Sequence, residues 1–205
     1  MGDLSLRSKG DLLALLKMSS ELIKAMDEFW FRVVQEAYGK GNAVKLNDKV
    51  RERYTHLLVK RSREQFGLSG SGIEMMMQVI ETDPSFLIND YEISHLSPDR
   101  LFVRVNRCAT VEAMEMSGRK EVGCEGTTGS CFRNMAKEIG DSIAVHAIRL
   151  PPRNSRHEAC CEWLFEAHPD VPIDRLAENP PQNETEGRGT AASLGRRTTN
   201  PETRR

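Results

Sequence analysis

The apolar and polar positions change period once along the chain, near Phe86, and the change divides the predicted elements into two groups. Before it the spacing is helical. Asp11–Met18 sets Leu12, Leu13, Leu15 and Leu16 on one side, with Ser8 as its cap. Ser20–Gly39 carries Leu22, Met26, Phe29, Trp30 and Val33 at i, i+3, i+4, i+7 spacing, with Ser19 or Ser20 to start it and Gly39 to end it. This is the predicted central helix, and a stripe so broad calls for neighbours on more than one side. A third helix is expected over 42–66, with Val44, Leu46, Val50, Tyr54, Leu57 and Leu58 at helical spacing, and a fourth over 71–81 that turns Ile73, Met76, Met77 and Ile80 inward. Three consecutive methionines at helical spacing read as core.

After Phe86 the residues alternate. Leu87–Leu96 and Arg100–Cys108, separated by the turn residues Ser97-Pro98-Asp99, predict a hairpin with Leu101, Val103 and Val105 on one face. A short helix over 110–117, a glycine-bearing loop over 118–129 and a helix over 130–139 with Phe132, Met135, Ala136 and Ile139 inward come next. Ile143–Leu150 and Cys160–Ala167 supply a third and a fourth strand, interrupted by Pro151-Pro152. The pattern predicts an α+β fold: a helical N-terminal half packed on a mainly antiparallel four-stranded sheet with interspersed helices. Residues 1–84 form the helical subdomain, and 85–170 form the α+β subdomain that holds the cysteines and makes one compact domain with the first. Residues 177–205, rich in Pro, Gly, Thr, Asn and Arg, read as a disordered tail.

Composition narrows the partners. Charged residues make up 29% of the chain yet cancel to a net charge of −1, which argues against nucleic acid as a partner. No apolar run reaches the length of about 20 residues that crosses a bilayer, and the N-terminus lacks the signature of a secretory signal. The expectation is a cytoplasmic protein without a membrane partner, with five reduced cysteines, and with a homo-oligomer left open.

Candidate chemistry centres on those cysteines. Cys124, within GCEGTTGSC and just before a helix, stands where free N–H groups would lower a thiol's pKa. Period two puts Cys161 with Trp163 and Phe165 on the buried face of the last strand and Cys160 with Glu162 on the exposed one. Cys131, one turn before Met135, reads as core. His157, close before Cys160 and Cys161, is the histidine best placed for metal or proton transfer. Asp27, Glu28, Gln35 and Glu36 straddle the aromatic cluster around Trp30.

DEFWFRVVQEAYG at 27–39, YEISHLSPDRLFVRVNRC at 91–108, FRNMAKEIG at 132–140 and CEWLF at 161–165 resemble an uncharacterised prokaryotic family of small cytosolic proteins with a Cys-x-Trp-x-Phe closing strand. At greater distance the layout is similar to the L-2-amino-thiazoline-4-carboxylic acid hydrolase family and to the small-molecule-binding domain of the 4-vinyl reductase type. The resemblance covers about residues 10 to 167. It implies Cys108, Cys124 and Cys161 as the family's cysteines, with Trp30 and Trp163 as matching aromatics. Gln35 stands where members often carry Glu, and Ala147 and Leu150 stand where they carry further cysteines.

Three readings follow. The first is a small-molecule-binding protein, in its enzymatic form a hydrolase acting on a non-peptide C–N bond, with Cys124 as nucleophile or anion-site residue, His157 or Glu36 as base, and Trp30, Gln35 and Trp163 against the ligand. The second is a thiolate metal-binding or redox-sensing module in which Cys108, Cys124 and Cys161, with His157, hold zinc or iron. The third is a non-catalytic structural or interaction protein whose cysteines are buried bystanders.

Overall fold

The computed structural model describes residues 4–116, 118, 123–140 and 142–168; the tail expected over 177–205 and residues 119–122 of the loop expected over 118–129 lie outside them. After a short 3-10 turn at Leu4–Leu6, α1 runs from Lys9 to Tyr38 as one helix, where the sequence predicts two. Ser8 caps it as expected, in a capping box with Asp11. Ser20 does not cap anything. It lies mid-helix, and its hydroxyl donates to the Leu16 carbonyl at 2.9 Å, so the presumed break is a satisfied interior position. Gly39, at φ 81°, turns the chain directly into α2, Lys40–Phe66.

Helix α2 buries only part of the face its apolar residues suggest: Leu58 is buried and Tyr54 partly so, and small polar residues take the remaining inward positions. Ala43, Asn47, Thr55, Leu58, Val59 and Ser62 are buried, whereas Leu46, Val50 and Leu57 are exposed. Small hydroxyl residues fit there because each finds a partner: Thr55 donates to the Arg51 carbonyl at 2.7 Å, and Ser62 lies 2.8 Å from the Thr82 hydroxyl. Helix α3, Gly72–Thr82, buries Ile73, Met75, Met76, Val79 and Ile80, so Met75 and Met76 are core, whereas Met77, expected inward, is only partly buried against it.

The sheet matches its predicted strands closely. β1 (Asp90–Ser97) and β2 (Arg100–Arg107) form the hairpin, followed by α4 (Ala109–Met116), a π-helical turn at Glu125–Gly129 and α5 (Ser130–Ile139). β3 (Ile143–Arg149) and β4 (Cys161–Ala167) complete it. The strand order is β1-β2-β4-β3 with every pair antiparallel. Leu101, Val103 and Val105 of β2 stand opposite Phe165, Trp163 and Cys161 of β4, and these residues form the inner face. Phe132, Met135 and Ile139 of α5 pack over it, with Phe132 edge-on to both Trp163 and Phe165. Burying side chains of this size stabilises the fold by roughly 2 to 3 kcal/mol each.

The outer face of the sheet is charged. Glu162 accepts from Arg104 Nε at 2.8 Å and from Arg149 Nε at 3.3 Å, and Glu166 pairs with Arg100 Nε at 2.9 Å. Among the described residues no helix is long and apolar enough to cross a membrane.

Candidate functional site

Cross-strand register gathers the cysteines. Because Val105 of β2 stands opposite Cys161 of β4, the residues leaving β2 and those entering β4 come together at one end of the sheet. Cys108 is on the first side and Cys160 on the second. The Cys160 N–H donates to the Val105 carbonyl at 2.7 Å, and its thiol donates to the Asn106 carbonyl at 3.5 Å. Cys160 is therefore fully buried rather than exposed. It precedes the strand, so strand alternation does not govern where its side chain goes. Cys161 is buried with Trp163 and Phe165, as the pattern predicts.

Cys124 joins this cluster from the other side. The helical run reaches back through the π turn, so Cys124 has helical dihedrals (φ −59°, ψ −34°) and its side chain enters the apolar core. Burial, reinforced by the charges that Cys161, Cys108 and Cys160 would carry as thiolates, pushes its thiol up to about 12. This reverses the expected lowering at a helix start, because desolvation outweighs the helix dipole. Burial likewise pushes Cys161 up to about 12, opposed by the Trp163 indole N–H, which is buried beside it without a well-aligned acceptor. Cys131 is core, 3.5 Å from the Thr55 hydroxyl, and burial raises its thiol to about 11.

The loop into β4 is held by a residue that the sequence does not single out. Arg153, with a side chain only 4% exposed, donates through Nε and Nη2 to the two carboxylate oxygens of Glu115 at 2.8 and 2.7 Å. It also donates to the carbonyls of Arg156 and Glu158 at 3.3 Å. This fork ties the loop to α4, and Arg153 keeps Glu115 below the usual carboxylate range. Arg153 and Glu115 are 38 positions apart, which leaves no spacing signal to find.

The other predicted site residues are dispersed. His157 is exposed on that loop, its backbone N–H on Ser155 Oγ. Trp163 is completely buried in the core, whereas Trp30 is half-buried on α1 and Gln35 and Glu36 are exposed there. Helix α1 packs principally along α2 and does not roof the sheet. One link toward the sheet side is Lys24, whose Nζ donates to Asn89 Oδ1 at 3.2 Å. Among the described residues, no group of three His, Cys, Asp or Glu side chains is arranged to hold a metal ion. Two open hollows mark the surface: one of about 300 Å³ lined by Tyr38, Asn42, Lys45, Leu46 and Lys49, the other among His56, Lys60, Arg63 and Glu138. Neither contains a predicted catalytic or ligand-binding residue.

What α1 does present is apolar. Leu22, Met26, Phe29 and Val33, at helical spacing, are 61, 69, 61 and 63% exposed on the side away from α2, with Met18 half-exposed in line with them. The residues turned toward α2 and the body are Ser20, Asp27 and Phe31, with Arg51 of α2 donating to Asp27.

The model of one protein family, described as a family of unknown function (DUF6125), matches residues 5–167. No curated protein and no solved structure matches the chain. The resemblance to an uncharacterised family is upheld at this level; the more distant likeness to the thiazoline hydrolase and vinyl reductase families gains no support.

Proposed function

We propose that this chain, which belongs to the DUF6125 family of unknown function, is a non-catalytic interaction protein whose working surface is the apolar face of α1. The observation that carries the reading is the exposed stripe of Leu22, Met26, Phe29 and Val33. Single exposed apolar residues are ordinary, but a continuous row along a helix about 45 Å long is a surface that another molecule covers.

The cysteine cluster fits the same reading. Cys124 and Cys161 are buried and protonated far above neutral pH, which suits packing and not nucleophilic attack. Cys131 and Cys160 are likewise buried among core residues. Trp163 is a core side chain, and the residues proposed from α1 as base and ligand contacts lie on a helix that runs beside α2.

The test compares the purified chain with a Met26→Glu/Val33→Glu variant by hydrophobic-dye fluorescence, sedimentation and circular dichroism. An interaction face either takes up dye or is covered by another molecule; the variant is expected to abolish whichever holds while keeping its helical spectrum. A variant that loses its helical spectrum places the stripe inside the fold and ends the reading.

A further inference from the structure

We infer that the occupant of the α1 stripe is a second copy of this chain, paired antiparallel about a two-fold axis that passes near Met26. The inference rests on reading α1 as an interaction face and names its partner.

The first argument is area. Leu22, Met26, Phe29 and Val33 each leave more than half of their surface exposed, and Met18 and Ile23 nearly half. At about 100 Å² apiece, with neighbouring stems added, α1 offers on the order of 800 Å², which is what each partner contributes to a stable interface. The rest of the chain cannot supply the cover. Residues 169–205 hold Val171, Ile173, Leu176 and Leu194 as their large apolar side chains, too few for a stripe of this length.

The second argument is periodicity. Leu15, Met26 and Ala37 recur at 11 residues, as do Met18 with Phe29 and Leu22 with Val33. An 11-residue repeat, about 3.67 residues per turn, keeps its seam almost straight along the helix. A straight seam that is similar at both ends is complementary to itself when reversed, which is the requirement of an isologous contact.

Charge selects the orientation. Glu21 and Arg32 stand 11 residues apart on the edge of the stripe remote from α2, with Lys17 and Glu36 one turn further out on either side; Arg32 also pairs with Glu28 of its own helix at 2.6 Å and, with its side chain 46% exposed, keeps donors for a second carboxylate. An axis between Met26 and Asp27 sets Glu21 of each copy beside Arg32 of the other, and Lys17 toward Glu36. A parallel pair would set each charge level with its own kind. The charges along α1 are Lys9, Lys17, Lys24 and Arg32 against Asp11, Glu21, Asp27, Glu28 and Glu36, a balance that suits a protein partner better than an anionic lipid surface.

Sedimentation of the full chain over a concentration series tests this. A species of twice the 23.1 kDa chain mass is expected. Phe29→Glu should weaken it by about 100-fold or more, because the residue is lost from both copies. In a Glu28→Gln background, which removes the pair Glu28 makes with Arg32 within the helix, Glu21→Arg alone should weaken the pair, and Glu21→Arg with Arg32→Glu should restore it. A Met26→Cys variant should cross-link to itself under mild oxidation. A dimer indifferent to Phe29→Glu, or a double swap that fails to restore, overturns the inference, as does a monomeric wild-type chain. In the monomeric case the dye separates the two failures. Dye fluorescence that Phe29→Glu abolishes leaves an open face for a different protein, and no dye uptake removes the interaction reading as well.

Discussion

The Tyr54 hydroxyl donates a 2.6 Å hydrogen bond to Asp83 Oδ1, tying the middle of α2 to the residue that ends α3. Asp83 is almost fully buried and also accepts from the Ser85 N–H at 2.8 Å. Burial first, and then the Asp83 charge, hold the Tyr54 phenol well above its usual range, so it remains a donor throughout the accessible pH range. Tyr54→Phe removes a donor and leaves a buried carboxylate short of one partner. The expected loss is about 1 to 3 kcal/mol in a urea unfolding curve. A change below a few tenths of a kcal/mol would mean that Asp83 is satisfied without it.

Arg153 is expected to control access to Cys160. Arg153→Met should leave most of the core intact but free the loop from α4, so that Cys160, buried in the native state, reacts with a thiol reagent without global unfolding. The same pair has an acid signature. Arg153 depresses the Glu115 pKa in the folded state, so its contribution is fully present above the ordinary glutamate pKa, about 4.3, and is lost as pH falls through the lower folded value. The acid limb of a stability profile should therefore be shallower in Arg153→Met than in the wild type. Identical limbs and an unreactive Cys160 would refute the anchoring role.

The buried thiols act at the other end of the pH scale. An unfolded thiol ionises near pH 8.5 and the folded Cys124 near 12, so the folded state retains protons that the unfolded state loses. Stability is full below about pH 8.5 and falls as pH rises toward 12. Cys161 and Cys131 act in the same direction. Melting temperature measured from pH 7 to 11 should decline less steeply in Cys124→Ala than in the wild type. Parallel curves would show that Cys124 is solvated in the native state.

Gly129 lies against the core tryptophan. A Cβ added there would meet Trp163 Cη2 at 3.1 Å and the Arg133 guanidinium at 3.2 Å. Arg133 can swing aside, at the expense of its bond to Glu125 Oε1, but the buried indole has little room. Gly129→Ala is expected to destabilise by about 1 to 2 kcal/mol and to alter the near-ultraviolet tryptophan signal. Unchanged stability with an unchanged signal would mean that the π turn yields instead.

How legible these features were depended on how local their causes are. The hairpin from β1 to β2 follows from alternation and the Ser97-Pro98-Asp99 turn, and the inner faces of β2 and α5 follow from periods of two and 3.6. A serine before an apolar run has the same appearance whether it caps a helix or bonds back inside one, as Ser20 does to Leu16. The burial of Thr55 and Ser62 has no local signal, because the groups that meet them, Cys131 and Thr82, come from other elements. Strand alternation does not reach Cys160, which lies one residue before β4 and is buried. The stripe on α1 was legible as a stripe; that α2 covers only the other side of the helix is a tertiary fact that no periodicity contains.

The strand order carries a consequence for synthesis of the chain. β4 is the last described strand to leave the ribosome, yet it occupies an interior place between β2 and β3 and delivers Trp163. Until it emerges, the hairpin has an unpaired edge at β2, β3 has no neighbour in the sheet, and Phe132 waits without two of its aromatic partners. Nascent chains halted before Cys161 would expose two adhesive edges and an apolar slot at once, the state in which β-pairing between molecules competes best. The interval between translation of Arg149 and Ala167 is therefore the vulnerable one, and chaperone demand should peak there.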